Sequence, residues 1–147
     1  MNNMLLSIPK EFANLKNLKQ VHLSNNQLTE FPTMFGGIKN LDVLDVSRNK
    51  IRSIPSEAKE LQVTELICNQ NQIASLAVEI AECPRLKTLR LEENCLPITE
   101  IHTKILKESK ISNLHLDGNL FATKKFNELD GYEDYMERFT AVRKKMF

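Results

Sequence analysis

The segment that decides the fold is Leu86–Leu96, LKTLRLEENCL, which has the pattern L-x-x-L-x-L-x-x-N-x-L. The same pattern, with Val, Ile or Cys in place of some leucines, begins again at Leu18, Leu41, Val63 and Ile111. The first four starts are separated by 23, 22 and 23 residues. Repetition at a fixed period of this length predicts a solenoid, in which each unit buries its apolar side against its neighbours.

This pattern is the leucine-rich-repeat signature, so the predicted fold class is an α/β leucine-rich-repeat solenoid. We expect short parallel strands on the concave face, an irregular or helical convex side and a C-terminal capping helix. The predicted divisions are a partial N-terminal repeat (1–17), about five leucine-rich repeats (18–120) and a C-terminal cap with an amphipathic helix (121–147). The residues predicted to point inward from the strands are Val21 and Leu23, Leu44 and Val46, Leu66 and Cys68, Leu89 and Leu91, and Leu114 and Leu116.

One asparagine follows each predicted strand at the same repeat position: Asn26, Asn49, Asn71, Asn94 and Asn119. The backbone must turn sharply there, which leaves peptide groups without partners in apolar surroundings. An inward amide side chain can both donate to and accept from such groups. We therefore interpret these residues as a structural ladder and not as a binding site.

The return segment of several repeats begins with an apolar residue and proline, as in Phe31-Pro32 and Ile54-Pro55. Because proline donates no backbone hydrogen bond, the pattern favours an irregular or extended return over a second sheet. The side chains predicted to point inward from this side are Phe12, Leu15, Phe35, Ile38, Ala58, Leu61, Ile80 and Cys83. The fourth return is longer, and we expect Thr99 to cap a short helix there, with Ile101, Ile105 and Leu106 facing the core.

The chain ends in GYEDYMERFTAVRKKMF, in which apolar residues recur at helical spacing. The predicted apolar stripe comprises Tyr132, Tyr135, Met136, Phe139, Val142 and Met146. A repeat array needs a cover over its last unit, so we interpret this segment as a capping helix. The competing interpretation, a basic amphipathic helix that binds a membrane or calmodulin, requires the aromatic face to be free.

The composition argues against several classes of function. Lys and Arg number 20 against 19 Asp and Glu, which argues against a dedicated nucleic-acid or membrane-surface protein. No stretch approaches the length of apolar sequence that spans a membrane. Cys68, Cys83 and Cys95 form no close pair, which favours reduced thiols and a cytoplasmic location.

The exposed positions of the strands form columns on the concave face, and we predict that another protein binds there. The predicted partner-binding residues are Gln20, His22, Val43, Asp45, Arg48, Glu65, Ile67, Asn69, Thr88, Arg90, Glu92, Glu93, Asn113, His115 and Asp117. Val43 and Ile67 are apolar residues in exposed columns and are candidates for the centre of the contact. The mixture of both charge signs in these columns does not indicate a nucleic-acid-binding face.

Metal binding and catalysis have little support in the sequence. Glu92, His115 and Asp117 fall on neighbouring strands, but no fixed ligand spacing indicates a metal site. His22 and Ser24 share a strand face, but an open sheet excludes little water. We therefore predict no enzyme activity, no cofactor and no metal.

Three segments, IRSIPSEAKELQVTELICNQNQI, CPRLKTLRLEENCL and the C-terminal ending, resemble the small intracellular leucine-rich-repeat proteins, and the ending is the most specific of them. The resemblance is to the C-terminal part of a longer protein, and it implies further repeats upstream and no assigned enzyme activity. It also implies a parent that begins with a myristoylation-type Met-Gly sequence, whereas this chain begins Met-Asn-Asn-Met. That anchor is therefore not carried over.

Two further expectations concern the ends of the array. The partial repeat from Asn3 to Pro9 predicts an uncapped N-terminal end near Leu5, Val21 and Leu23, and therefore self-association through that end. The alternative function is a peripheral membrane-associated adaptor. It would use either a lipid anchor of the longer parent or the basic C-terminal helix.

Overall fold

The fold is seen in a computed structural model that describes residues 15–145. Five three-residue strands form one parallel sheet: β1 (Gln20–His22), β2 (Val43–Asp45), β4 (Glu65–Ile67), β6 (Thr88–Arg90) and β7 (Asn113–His115). They lie side by side in chain order, and the intervening strands β3 (Ser53–Ile54) and β5 (Ser75–Leu76) belong to a second sheet. The pairing is in register with the repeat, so that Val21, Leu44, Leu66, Leu89 and Leu114 lie side by side. The leucine-rich-repeat solenoid that the sequence predicts is confirmed.

The core is one continuous apolar cluster that runs through all the repeats. Leu44, Leu66 and Leu89 are each 0% exposed, because each lies between the neighbouring repeats of the stack. Leu23, at one end of the described array, and Leu114 and Leu116, at the other end, are only partly buried. Burial is thus deepest in the middle of the array.

The convex side is built mainly from short 3-10 helices. They cover Thr33–Gly37, Ser56–Glu60, Val78–Glu82 and Ile98–Glu100. The prediction that this side would contain no second sheet is wrong, because β3 (Ser53–Ile54) and β5 (Ser75–Leu76) pair in parallel. Pro55 comes directly after β3, so its missing N–H leaves the two-residue pairing intact.

The predicted helix in the fourth return begins later than we expected. Helix α1 spans Thr103–Glu108, and His102, not Thr99, occupies its N-cap position. Thr99 lies instead in the 3-10 turn that follows Pro97. The segment between turn and helix is held by the edge of the second sheet, because the Leu76 N–H donates to Glu100 Oε1 at 2.8 Å and His102 Nε2 lies 2.7 Å from the Leu76 carbonyl oxygen. Ile101, Ile105 and Leu106 are buried, as predicted.

Two helices cover the last repeat, α2 (Thr123–Asn127) and α3 (Tyr132–Lys145). Helix α2 is not among the elements predicted from the sequence. The Tyr135 hydroxyl oxygen accepts a 2.8 Å hydrogen bond from the Leu114 N–H on the edge strand β7. Arg138 donates to the carbonyl oxygens of Leu106 and Ile111 at 2.7 and 2.8 Å. Helix α3 therefore closes the end of the solenoid through backbone groups that the repeats leave open.

The apolar stripe of α3 is shorter than predicted. Tyr135 is buried, and Met136 and Phe139 pack against the core. Val142 is 40% exposed, because the helix continues beyond the core that it covers. Met146 lies outside the described residues.

The N-terminal end is described only from residue 15 onward. Leu15 was expected to point inward, but its side chain is 49% exposed. Three of the predictions lie outside the described residues: those for the partial repeat at Asn3–Pro9, for Leu5 and for Phe12. Self-association through this end stays a prediction.

Candidate partner-binding face

The pairing register places the predicted binding residues in straight columns across the concave face. The central column contains one residue per strand: His22, Asp45, Ile67, Arg90 and His115. The column before it contains Gln20, Val43, Glu65, Thr88 and Asn113. All the residues of both columns are exposed or partly exposed. The sheet therefore presents a grid of side chains about five strands wide, or roughly 20 Å.

The five asparagines hold this grid in place from beneath. Asn71 Oδ1 accepts from the Ile51 N–H at 3.1 Å, while Asn71 Nδ2 donates to the carbonyl oxygens of Val46 and Cys68 at 3.1 Å each. Asn49 and Asn94 bond the preceding repeat and their own strand end in the same way. The interpretation of these residues as a structural ladder is confirmed.

A left-handed backbone position stands immediately before each of these asparagines. Asn25, Arg48, Gln70 and Glu93 have φ angles of 59, 55, 55 and 56°, and Gly118 has 83°. In this conformation the chain leaves the strand abruptly. The side chains of this column consequently project along one rim of the concave face.

Hydrogen bonds between repeats link the side chains of this rim. Arg48 Nε donates to Gln70 Oε1 at 2.6 Å, and Gln70 Nε2 donates to Glu93 Oε2 at 2.6 Å. A shallow polar depression of about 260 Å³ lies beside them and is also lined by Ser47, Asn69 and Glu92. Gln70 was not among the predicted binding residues, although its place between Arg48 and Glu93 in the same column of the sequence could have identified it.

Charged groups on the C-terminal half of the face are paired with one another. Arg90 Nε lies 3.0 Å from Glu65 Oε2, and Arg90 Nη1 lies 4.0 Å from Glu92 Oε1. His115 Nδ1 lies 3.9 Å from the same Glu92 oxygen. On the other half, His22 Nδ1 lies 3.7 Å from Asp45 Oδ2. Six of the predicted residues are thus brought together: Glu65, Arg90, Glu92 and His115 form one network, and His22 and Asp45 form a pair.

His115 is the histidine of this face with the most perturbed surroundings. Burial, together with the positive charge of Arg90, lowers the pKa of His115, although Glu92 and Asp117 oppose that effect. Among residues 15–145, its buried Nε2 has no hydrogen-bond partner. Burial of the ring thus favours the neutral imidazole over the charged form.

The centre of the face is apolar. Val43 and Ile67 lie on the neighbouring strands β2 and β4, and both are partly exposed. Around them the predicted binding residues include five carboxylates (Asp45, Glu65, Glu92, Glu93 and Asp117) against two arginines (Arg48 and Arg90). The face is therefore acidic, although the whole chain has a net charge of +1.

The described part of the chain holds no cluster suited to metal binding, and two of its three thiols are buried. Among residues 15–145, no three His, Cys, Asp or Glu side chains are placed to hold one metal ion. Burial raises the pKa of the Cys68 thiol far above its ordinary value and that of Cys83 to about 12. Both are core residues, as predicted, whereas Cys95 is exposed. No helix in the described residues is long and apolar enough to cross a membrane.

The comparisons with known proteins agree with this architecture. The family model described as leucine rich repeat matches residues 1–51. A leucine-rich-repeat protein of Leptospira interrogans superposes with a TM-score of 0.76 at 28% identity, over 92% of this chain and 34% of that chain. The internalin InlF of Listeria monocytogenes gives 0.69 at 22% identity, over 88% of this chain and 37% of that chain.

A third match is the plant peptide hormone receptor RGFR1 in complex with RGF2, with a TM-score of 0.67 at 25% identity. It covers 81% of this chain and 20% of that receptor chain. This chain spans 34%, 37% and 20% of these three solved chains, respectively. Domains of this kind typically mediate protein–protein interactions. The repeat signature, the register of the five strands and these matches identify the chain as a leucine-rich-repeat solenoid.

Proposed function

We propose that the chain is a non-enzymatic protein-interaction module that binds a partner protein on its concave face. The observation that carries this proposal is the presence of two partly exposed aliphatic residues, Val43 and Ile67, at diagonal positions on neighbouring strands within a grid of polar side chains. Aliphatic residues at such a position are partly dehydrated before binding and gain further burial when a partner covers them. Because the asparagine ladder fixes the backbone, little ordering of this chain opposes binding.

The surroundings of this apolar pair indicate the chemistry of the partner. An excess of carboxylates around Ile67 favours a partner segment with an apolar side chain flanked by Lys or Arg. The match to a plant receptor solved in complex with RGF2 supports the use of this fold for recognition. We also propose a cytoplasmic location for the module, which the free thiols of Cys68, Cys83 and Cys95 favour.

The alternative, a membrane-associated adaptor that uses the basic C-terminal helix, has less support. The aromatic face of α3 is used within the protein, since Phe126 packs against Tyr132 and Tyr135 at ring-centroid distances of 5.4 and 5.8 Å. The Tyr135 hydroxyl is also bonded to β7. Insertion of this face into lipid would require the cap to detach.

Two substitutions on the face test the proposal. Ile67→Asp introduces a charge at the apolar centre, and Arg90→Glu breaks the contacts with Glu65 and Glu92. We expect each to weaken binding to captured partners at least tenfold, because truncation or reversal at the centre of an interface costs about 2 kcal/mol or more. Affinity capture from cell extract, followed by titration of the recovered partner, measures the loss.

The matched controls carry the same chemical changes away from the concave columns. Leu120→Asp alters a side chain that is 67% exposed, and Arg52→Glu alters an exposed arginine outside the predicted set. Both controls should retain the partners of the unmodified protein, and circular dichroism should show all four variants folded. Recovery of the same partners at the same affinity by Ile67→Asp and Arg90→Glu would refute the concave-face proposal.

A further inference from the structure

A second charged surface lies along the edge of the solenoid where the strands begin. The residues directly before the five strands are Lys19, Asp42, Thr64, Lys87 and Ser112. Backbone hydrogen bonds from each to the next, 2.7 to 2.9 Å long, place them in one column that continues the sheet. This column therefore forms a straight border of the concave face.

The segments that lead into β1, β2, β6 and β7 each add one basic residue to the same border. They are Lys16, Lys39, Arg85 and Lys110. Arg85 reaches back along the border, donating to the Lys39 carbonyl oxygen at 3.3 Å and to Asp42 Oδ1 at 2.5 Å. Lys110 Nζ donates to the Pro84 carbonyl oxygen at 2.9 Å. These contacts show that the positions of successive repeats share one surface, which we term the basic edge (Lys16, Lys19, Lys39, Arg85, Lys87 and Lys110).

The basic edge has a surplus of positive charge that the structure does not neutralise. Asp42 is the acidic residue within its columns, and it is already paired with Arg85. On the convex side, the nearby Glu82 is paired with Lys104 at 3.3 Å, and Glu60 ends the adjoining 3-10 helix. Lys16, Lys19, Lys39 and Lys87 are all exposed. Within residues 15–145, their ammonium groups form no ion pair or side-chain hydrogen bond.

We propose that the basic edge docks the protein on an anionic lipid bilayer. The edge is a straight row about 20 Å long and not a groove, so it matches a flat surface. Five of its six basic residues are lysines, which act as hydrated point charges and do not form the bidentate phosphate contacts typical of arginine. The columns contain no aromatic residue on which a nucleic-acid base could stack.

The geometry is compatible with the concave-face proposal but does not depend on it. A protein that rests on the edge where the strands begin keeps its concave face at a steep angle to the membrane. Val43 and Ile67 then stay accessible to a partner. The net charge of the chain is close to zero because the acidic concave face offsets this edge.

Co-sedimentation with vesicles tests the proposal on the full chain. The probes are vesicles of phosphatidylcholine alone and of phosphatidylcholine mixed with phosphatidylserine. We expect binding to the mixed vesicles only, weakening as salt is added. The triple variant Lys19→Gln, Lys39→Gln, Lys87→Gln should bind roughly a hundredfold more weakly, since each lysine near an anionic surface contributes about fivefold.

The control variant Lys50→Gln, Arg52→Gln, Lys59→Gln removes the same charge from exposed positions outside the edge. It should sediment as the unmodified protein does. An equal loss in the control, equal binding to phosphatidylcholine alone, or no binding by the unmodified protein would each overturn the proposal. Tighter binding to a single-stranded oligonucleotide than to the mixed vesicles would overturn the lipid assignment. None of these outcomes bears on partner capture by the concave face.

Discussion

At the scale of single residues, the ladder asparagines are the most informative side chains, because they hydrogen-bond to the backbone within and between repeats. Every ladder asparagine after Asn26 acts as donor and acceptor at once, so neither an aspartate nor a leucine can replace it. Asn94, for example, accepts from the N–H groups of Asn71 and Ile73 and donates to Cys68 and Leu91. The neighbouring rim residue Glu93 has a left-handed backbone, and its carboxylate accepts a hydrogen bond from Gln70. A ladder position and a predicted binding position are thus adjacent in this repeat.

The substitution Asn71→Asp should destabilise the protein by about 3 kcal/mol at neutral pH. Its carboxylate cannot donate to the Val46 and Cys68 carbonyl oxygens, and it places a charge at a position that is 8% exposed. Urea unfolding followed by circular dichroism measures the change. Asn40→Asp, the same substitution at an exposed position, should cost less than about 0.5 kcal/mol. Similar losses for the two variants would contradict the ladder account.

At the scale of elements, the cap works by completing the hydrogen bonds that the last repeat cannot make for itself. Tyr135 and Arg138 act on different targets, the edge of β7 and the C-terminal carbonyl groups of α1. Gly131 precedes α3 with a φ of +97°, and a Cβ there would lie 2.9 Å from the Leu106 Cβ. The junction between α1 and α3 therefore requires glycine for its close approach as well as for its backbone conformation.

The cap predicts a difference between its two tyrosines. Tyr135→Phe removes the acceptor of the Leu114 N–H and should cost about 1 to 2 kcal/mol in the free energy of unfolding. Tyr132→Phe retains the ring contact with Phe126 and removes no described hydrogen bond, so it should be nearly neutral. Thermal or urea unfolding of the two variants provides the comparison. A neutral Tyr135→Phe would show that the hydroxyl does not close the sheet edge.

At the scale of the whole molecule, the continuous core and the segregation of charge are properties that no single repeat possesses. The core joins every described repeat, so loss of one repeat exposes the apolar side of the next. The acidic columns and the basic edge likewise arise only when successive copies are stacked in register. The molecule therefore presents two surfaces of opposite character on one rigid frame.

The continuous core predicts how the three thiols react. In the folded protein at neutral pH, only Cys95 should react rapidly with a thiol reagent such as Ellman's reagent, because Cys68 and Cys83 are 0% and 3% exposed. The buried pair should become reactive together as urea unfolds the array, and Cys95→Ser should abolish the rapid phase. Reaction of Cys83 well before Cys68 would instead indicate that the convex side opens separately from the sheet.

The sequence by itself determined the strands of the concave sheet, their register, most core positions and the asparagine ladder. Each of these features recurs in every repeat, so the periodic sequence pattern provides several independent indications of it. The columns of the concave face follow from the same register. The sequence alone therefore predicts that Asp45, Ile67, Arg90 and His115 lie next to one another in this order, as the structure shows. Whether those residues bind a partner stays a prediction.

Only the tertiary structure decided the features that occur once or that join distant residues. Thr99 has the chemistry of a helix cap, but Glu100 and His102 satisfy the edge of β5, and α1 therefore begins after them. The second sheet forms because stacking brings two short return segments within hydrogen-bond distance, which local propensity does not reveal. The basic edge depends on contacts such as that of Arg85 with Lys39, which lie 46 residues apart in sequence. Periodicity specifies what all repeats share, whereas single contacts between repeats depend on the packed geometry.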